Sequence, residues 1–425
     1  MNILVIGSGG REHAFAYQLK KSALCSKLYI LPGNPGTEQL GTNVLLSPDN
    51  FNEIGQFCLN SKIELVIVGP EEPLVKGIRD FFEADIQLES IAFIGPDAKG
   101  AQMEGSKEWS KAFMTKYNIP TAAYEAFTSK NLAAGINYIN QHSLPVVLKA
   151  DGLAAGKGVL ICESRHEALN ELQLMINEHK FGQAGCKVVV EEFLSGIELS
   201  VFVLTDGTNY KILPSAKDYK RIGEGDKGLN TGGMGAVSPV PFADADFMLK
   251  VEERIIKPTI YGLQKEGIHY KGFIFIGLMN VNGDPIVIEY NCRMGDPETE
   301  TVLPLVQNDF VELMMAAAKG TLNQIKLNID PRSSATIMLV SMGYPGEFEK
   351  GKKITGMDLV EESILFHAGT CRTETGEIVS NGGRVMAITS LGENIKEALE
   401  KSIASAGKIA FNTKSYRKDI GYEFV

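Results

Sequence analysis

Apolar residues in this chain gather in short runs, each closed by glycine, proline or a polar cluster. The first four, NILVIG (2–7), LYIL (28–31), ELVIVGP (64–70) and AFIGP (92–96), are nearly uninterrupted. Strands that are apolar on both faces belong to a covered parallel sheet, which predicts a parallel α/β unit of about 100 residues with helices between its strands. The stretch 11–21 reads as the first of those helices, with Ala14 and Tyr17 on neighbouring turns. A boundary is expected near 100–105.

The pattern then changes. A helix is predicted over 107–116, stopped by Asn118-Ile119-Pro120. The runs PVVLKA (145–150), GVLIC (158–162) and KVVVEEFL (187–194), with a helix over 166–177, form a small mixed unit around a glycine-rich turn. ELSVFVL (198–204) reads as a strand, 223–235 as a polar glycine-rich loop, and 245–266 as a helix. FIFIGLMNVNGDPIVIEYN is a hairpin, with Asn282-Gly283 as the tight turn between two apolar strands. From about 328 the segments ATIMLVSMGYPG, ILFHAGT and GGRVMAITSLG are β-rich.

Composition narrows the class. At 425 residues, with 44% apolar and 22% charged positions, the chain suits a soluble protein of two to four domains. No apolar stretch approaches the ~18 residues of a membrane span, and MNILVIGSGG lacks the features of a signal peptide, so a cytoplasmic protein is expected. The six cysteines form no CxxC pair and the six histidines no HExxH, which argues against a zinc enzyme. Net charge is 42 − 52 = −10, unsuited to a general nucleic-acid binder. Small anionic ligands remain open to it, because Lys217, Lys220, Arg221 and Lys227 fall within eleven residues.

Four glycine-rich or acidic stretches are candidates for chemistry. GSGGREHA joins a strand to a helix N-terminus, where free N–H groups suit an anion. Glu12 occupies the place of the last glycine of the dinucleotide fingerprint, which argues against a nicotinamide cofactor. In KADGLAAGKGV only three residues separate Gly152 from Gly156-Lys157, and Gly158 follows, so this is no Walker A loop. It is either a loop folding over phosphates between Lys149 and Lys157 or a mobile hairpin with solvated lysines. VVVEEFLSGIE either presents an adenine-binding edge or is a strand end with acidic residues facing water. DYKRIGEGDKGLNTGGMGA, with six glycines among 223–235, reads as a loop that closes over substrate.

The densest stretch is IVIEYNCRMGDPE. On a strand, residues i and i+2 share a face, so Glu289 and Asn291 point the same way. Two oxygen ligands on one face suit a magnesium ion that is also bound to substrate phosphates. Arg293 can fork onto a carboxylate. It would share that face if the strand persisted. Gly295-Asp296-Pro297 turns the chain.

Together VIGSGGREHA, VGPEEPL, EGSK, KADGLAAGKGV, EEFLSGIE, NTGGMGA, EYNCRMGDPETE and SNGGRV resemble the ATP-grasp superfamily. Within it they are similar to the phosphoribosylamine–glycine ligase family, the glycinamide ribonucleotide synthetases. The motifs occur in the family's order and span nearly the whole chain. The resemblance implies an α/β and α+β multidomain protein. Its parts would be an N-terminal parallel α/β domain (1–102), an ATP-grasp core (103–120 and 194–327), a small lid (121–193) and a C-terminal β-rich domain (328–425). It implies that ATP phosphorylates glycine and that the amine of 5-phosphoribosylamine then takes the glycyl group. ATP and Mg2+ (or Mn2+) would be required. The partners would be small molecules, not nucleic acid or membrane, with a monomer favoured.

By resemblance, ATP would meet Lys107, Lys149, Gly152, Ala155, Gly156, Lys157, Gly158, Glu191, Glu192, Phe193, Leu194 and Glu198. Glu289 and Asn291 would hold the metal. Asp218, Lys220, Arg293 and Asp296 would serve the chemistry. Gly10, Arg11, Glu12, Gly69, Pro70, Glu71, Lys217, Asn230, Thr231, Gly232, Gly233, Met234, Gly295 and Pro297 would bind substrate. One departure stands out: Lys217 occupies a position where the family typically has glutamine. Competing readings are a non-catalytic nucleotide-responsive binding protein, another ATP-grasp carboxylate–amine ligase and a biotin-dependent carboxylase component.

Overall fold

The computed structural model describes residues 1–154 and 158–425. The N-terminal strands Asn2–Gly7, Lys27–Pro32, Leu65–Val68 and Ala92–Pro96 pair in parallel, as their unbroken apolar runs require. The helix Gly10–Lys20 is buried along most of its length because it lies between this sheet and the C-terminal part of the chain.

This sheet does not end with the N-terminal unit. Tyr270 and Lys271 pair antiparallel with Pro96 and Gly95, so strand Tyr270–Val281 continues it. Ile197–Thr205 and Tyr210–Ile212 extend the same sheet, and Asp284–Asn291, folding back on Tyr270–Val281, and the short Thr42–Asn43, beside Lys27–Pro32, complete nine strands. Asn282 and Gly283 both take positive φ, the backbone that a two-residue hairpin turn demands. The helix expected over 245–266 is continuous, with one π-turn at Glu252–Ile256 where it approaches Pro258.

The small unit stands apart. Tyr124–Thr128, Lys187–Glu192, Val146–Ala150 and Val159–Cys162 make a four-stranded sheet backed by helices Leu132–Gln141 and Arg165–Asn177, with its own core around Leu148, Leu172 and Val190. The C-terminal sheet runs Lys217–Asp218, Gly235–Ser238, Ser333–Ser341, Arg384–Gly392, Ile364–His367, with Lys414–Ser415 on the far side of Ser333–Ser341. Two of its strands therefore flank the segment 223–235, where the sequence predicts only loop. Arg221–Gly223 and Lys227–Asn230 also pair, as a small hairpin. Helix Ile395–Lys408 packs on this sheet, capped by the Asn394 side chain, which accepts from the Glu397 N–H. No helix among the described residues is long and apolar enough to cross a membrane.

The first helix meets the C-terminal sheet through two buried histidines. The His367 N–H donates to His13 Nδ1 at 2.8 Å, and Asn34 Nδ2 donates to the carbonyls of Ser8 and His367 at 2.8 and 2.9 Å. Burial lowers His13 to about 3, with His367 adding to the effect; burial likewise lowers His367 to about 4. Both rings are neutral in the fold at pH values where the unfolded chain would be protonated. Stability is therefore expected to fall as pH drops from about 6.5 towards 4, by up to about 1.4 kcal/mol per pH unit for each histidine. Urea midpoints measured from pH 7 to 4.5 check this. His367→Gln should flatten the acid limb, and an unchanged slope would remove the histidines as its cause.

Candidate functional site

A cavity of about 920 Å³ opens where the shared sheet, the small unit and the C-terminal sheet meet. Its wall brings together Arg11, Glu71, Lys107, Lys149, Gly158, Glu191, Phe193, Leu194, Glu198, Lys217, Asp218, Lys220, Asn230, Thr231, Gly232, Glu289, Asn291, Arg293, Gly295 and Asp296. Of the other residues singled out in the sequence, Gly10, Glu12, Gly69, Pro70, Gly152, Glu192, Gly233, Met234 and Pro297 do not line the cavity. Ala155, Gly156 and Lys157 lie outside the described residues. A second cleft of about 1020 Å³, near Arg79, Phe82 and Met315, contains none of these residues.

On one side lies a buried triad. Glu191, at the end of strand Lys187–Glu192, sits 2.9 Å from Lys111 and 3.0 Å from Lys149, and all three side chains are almost wholly buried. Lys111 also donates to Thr121 Oγ1 at 2.8 Å. Burial brings Lys111 down to about 8, with Glu191 opposing. Glu191 Oε1 is buried without a hydrogen-bond partner among the described residues, so it can accept a ligand's N–H. Glu192 points elsewhere and accepts from the Ala123 N–H at 2.9 Å. Sequence reading missed Lys111; its position four residues after Lys107 on one helix face was the available signal.

The strand Asp284–Asn291 supplies Glu289 and Asn291. Its register shifts where Glu289 faces Gly277 and Val287 faces Leu278, which leaves Ile288 as an extra residue. The carbonyl of Ile288 accepts from Lys149 at 3.1 Å. Burial pushes the Glu289 carboxyl up, but Lys220, Lys149, Lys107 and Arg293 outweigh it and hold the group ionised. No cluster of three or more His, Cys, Asp or Glu poised for a metal exists among the described residues. An ionised carboxylate and an amide oxygen suit a hard cation that takes its remaining ligands from phosphates and water, rather than a cage of side chains.

The strand ends at Asn291, so Arg293 does not continue its face. Its Nε lies 3.2 Å from Glu71 and its Nη2 2.6 Å from Glu104. Glu104 also accepts from the Cys292 N–H at 2.9 Å. Burial opposes the charge on Arg293, yet these two carboxylates more than compensate and raise its pKa. Asp296 lies 3.0 Å from Arg384, whose Nη1 donates to the carbonyls of Gly232 and Asp296 at 2.6 and 2.7 Å. Arg384 belongs to the SNGGRV segment, which the sequence marked without assigning its arginine.

Asp218 and Lys220 face a group of carboxylates. Lys220 is 3.2 Å from Glu198 and is raised well above its ordinary value, by Asp218 first and Glu198 second. Burial raises Asp218, and burial together with Asp218 raises Glu298 to about 8. Lys217 is spoken for: its ammonium lies 3.2 Å from Glu423 and 4.7 Å from the centre of the Tyr219 ring.

The N-terminal turn is built around Glu12. Its Oε2 accepts from the Gly9 N–H at 2.6 Å and its Oε1 from Arg11 Nε at 2.7 Å. A Cβ on Gly69 would stand 2.0 Å from Glu12 Oε1, which explains that glycine. Arg11 reaches the cavity and donates through Nη1 to the Met294 carbonyl at 3.1 Å. Glu12 thus organises the turn, and Arg11 is the residue it presents.

Comparison with known proteins identifies the family. The family described as "Phosphoribosylglycinamide synthetase" matches through its N domain at 1–104, its ATP-grasp (A) domain at 105–299 and its C domain at 334–423. A phosphoribosylamine–glycine ligase of Caldanaerobacter subterraneus is 44% identical over 420 residues, covering 99% of each chain. One of Haemophilus influenzae is 43% identical over 431 residues, covering 100% of this chain and 99% of that one. The crystal structure of a phosphoribosylamine–glycine ligase from Thermotoga maritima is similar with a TM-score of 0.85 at 37% identity, over 99% of this chain and 100% of that one. A biotin carboxylase from Campylobacter jejuni, with a TM-score of 0.72 and 16% identity over 99% of this chain and 94% of that one, shares the fold alone.

The buried triad makes a direct prediction. Glu191→Gln leaves two ammonium groups facing each other with no counter-charge and should cost about 3–5 kcal/mol of stability. Lys111→Met, which leaves the Glu191–Lys149 pair intact, should cost less than about half of that. Urea unfolding of both variants at pH 7 checks the order, and a reversed order would mean that Glu191 is not the centre of the triad.

Proposed function

The chain belongs to the phosphoribosylamine–glycine ligase family and is an ATP-grasp ligase of purine biosynthesis, and we propose that the cavity around Glu289 and Arg293 is where glycine is activated and transferred. The observation that carries this reading is the convergence of five cationic side chains, Lys107, Lys149, Lys220, Arg293 and Arg384, on one cavity that also holds the Glu289–Asn291 pair. A polyanionic nucleotide matches that wall. A wall built only to bind a nucleotide would not need Asp218, Asp296 and Glu298 beside it.

In this reading ATP enters with its adenine near Phe193 and Leu194, its amino group donating to the free Oε1 of Glu191 and its ribose hydroxyls to Glu198. Lys107 and Lys149 neutralise phosphate charge, together with the segment 152–158. Glu289 and Asn291 would hold Mg2+ (or Mn2+), which would supply further charge neutralisation at the phosphates. The glycine carboxylate attacks the γ-phosphorus, the bond from that phosphorus to the β,γ-bridging oxygen breaks, and ADP leaves. An oxide ion is a poor leaving group and a phosphate a good one, so glycyl phosphate is a competent acyl donor. The amine of 5-phosphoribosylamine then attacks the carbonyl carbon, the C–O bond to phosphate breaks, and the amine loses a proton. Positioning and charge neutralisation carry such steps, and no covalent enzyme intermediate is required.

Arg293 is held by Glu71 and Glu104, so it acts as a fixed cation rather than a mobile clamp. It orients the glycine carboxylate or the acyl phosphate from a set position. Arg11 and Glu71 border the phosphoribosylamine end. Asn230, the last residue of the hairpin, and Thr231 and Gly232 after it close the glycine end.

A coupled assay of ADP release tests the reading. Turnover should require glycine and phosphoribosylamine together, and other amino acids should not replace glycine. ADP release that ignores either substrate would instead favour another carboxylate–amine ligase, and tight ATP binding with no turnover a nucleotide-responsive binding protein. Glu289→Gln should fold normally and lose turnover by about 10²-fold or more at limiting Mg2+. Near-normal rates there would displace the metal from Glu289.

A further inference from the structure

The last turn of the chain reaches the cavity. Tyr422 and Glu423 form part of its wall, more than a hundred residues after any substrate segment of the central unit. Glu423 accepts from the hydroxyl of Tyr219 through Oε2 and pairs with Lys217 through Oε1 at 3.2 Å. Tyr219 is buried, so that hydroxyl has no water to turn to.

Lys217 and Tyr219 flank Asp218 in extended chain. Alternate residues of such a chain face opposite ways. With 217 and 219 tied to Glu423, 218 and 220 are turned towards Glu198 and Glu298, as the Lys220–Glu198 contact of 3.2 Å requires.

The same turn grips the hairpin that follows. Arg417, with a side chain only 1% exposed, lies 2.7 Å from Asp226, donates to the Arg221 carbonyl at 3.1 Å, and is held by Asp419 at 2.8 Å. Its guanidinium lies 5.4 Å from the centre of the Tyr219 ring. Asp419 accepts from the Gly225 N–H at 2.7 Å, and the Tyr422 hydroxyl donates to Asp226 at 3.1 Å. At its other end the segment is anchored by the C-terminal sheet, where Gly232 donates to the Tyr344 hydroxyl at 2.9 Å and accepts from Arg384. Four contacts from the tail to the hairpin, two from Arg417 and one each from Asp419 and Tyr422, are more than a solvent-exposed turn needs.

We propose that the turn 417–423 is part of the ligase site, with Glu423 the positioning residue that sets Asp218 and Lys220 and Arg417 the clasp that holds the hairpin. The idea rests on the reading that Asp218, Lys220 and the hairpin serve glycine. It makes the glycine end of the cavity a product of the C-terminal unit, and the nucleotide end independent of it.

Glu423→Gln tests it, because the amide keeps the shape and removes the charge that holds Lys217. The KM for glycine should rise roughly tenfold, the scale of a charged hydrogen bond, while the KM for ATP stays within about twofold. The melting temperature should barely move. Adding Lys217→Gln to Glu423→Gln should restore most of the glycine KM, since no unpaired ammonium remains. An unchanged glycine KM, a parallel rise for all substrates with a fallen melting temperature, or no rescue would each overturn the proposal. Trypsin cleavage after Lys227, in the hairpin, is the readout that does not depend on the reaction. It should be faster in Arg417→Gln, which removes the contacts to Asp226 and the Arg221 carbonyl, than in the parent, and equal rates would overturn the clasp. Should the parent enzyme release ADP without glycine, the reading of the site falls by itself, and the cleavage result still judges the clasp.

Discussion

A charged group taken out of water must meet an opposite charge, and the cavity of this protein is arranged around that requirement. Glu191 lies between Lys111 and Lys149, Arg293 between Glu71 and Glu104, Asp296 against Arg384, and Lys220 among Asp218, Glu198 and Glu289. An unpaired charge at the buried Glu191, Arg293 or Asp296 would cost several kcal/mol, so each of these pairs constrains where the other elements can sit; the half-exposed Lys220 is screened by solvent and constrains less. Glu289 stays ionised only because four cations face it. The cavity wall is therefore preorganised, as the proposed reaction, which depends on positioning and charge neutralisation, would require.

The shared sheet makes those pairings possible. Because Tyr270 and Lys271 continue the N-terminal sheet at Pro96 and Gly95, the N-terminal strands and the strand Asp284–Asn291, which carries Glu289 and Asn291, belong to one sheet. Glu71 and Glu104, from the N-terminal side, thus meet Arg293 from the far end of that layer. The small unit has its own core and touches the cavity through Lys149 and Glu191; in the proposed reading it is the lid over the acyl phosphate. The C-terminal sheet takes in the strands Lys217–Asp218 and Gly235–Ser238, so the segment that carries Asp218 is held by the last unit of the chain.

Much of the local structure was legible in the sequence. The parallel strands followed from unbroken apolar runs, the hairpin from Asn282-Gly283, and the common placement of Glu289 and Asn291 from the two-residue period of a strand. These depend on φ/ψ preference and on which face is buried, which are properties of neighbouring residues. Two helices, Phe310–Lys319 and Ile395–Lys408, could have been found in the same way, since Asp309 and Asn394 are capping residues followed by acidic first turns. The apolar strands beside them drew the reading towards β structure.

What only the tertiary structure decided is the partner of each charge. Nothing near Arg293 in sequence shows that Glu71 and Glu104 will hold it, and nothing near Lys217 points to Glu423. Glu12 has the type and position of a ligand-binding carboxylate, yet the fold spends it on Gly9 and Arg11 inside its own turn. Sequence determined which residues are chemically able and, through periodicity, which way the strands present them. Long-range packing then decided which of those groups neutralise one another and which are left facing the cavity, because electrostatic pairing depends on distance in space and not along the chain.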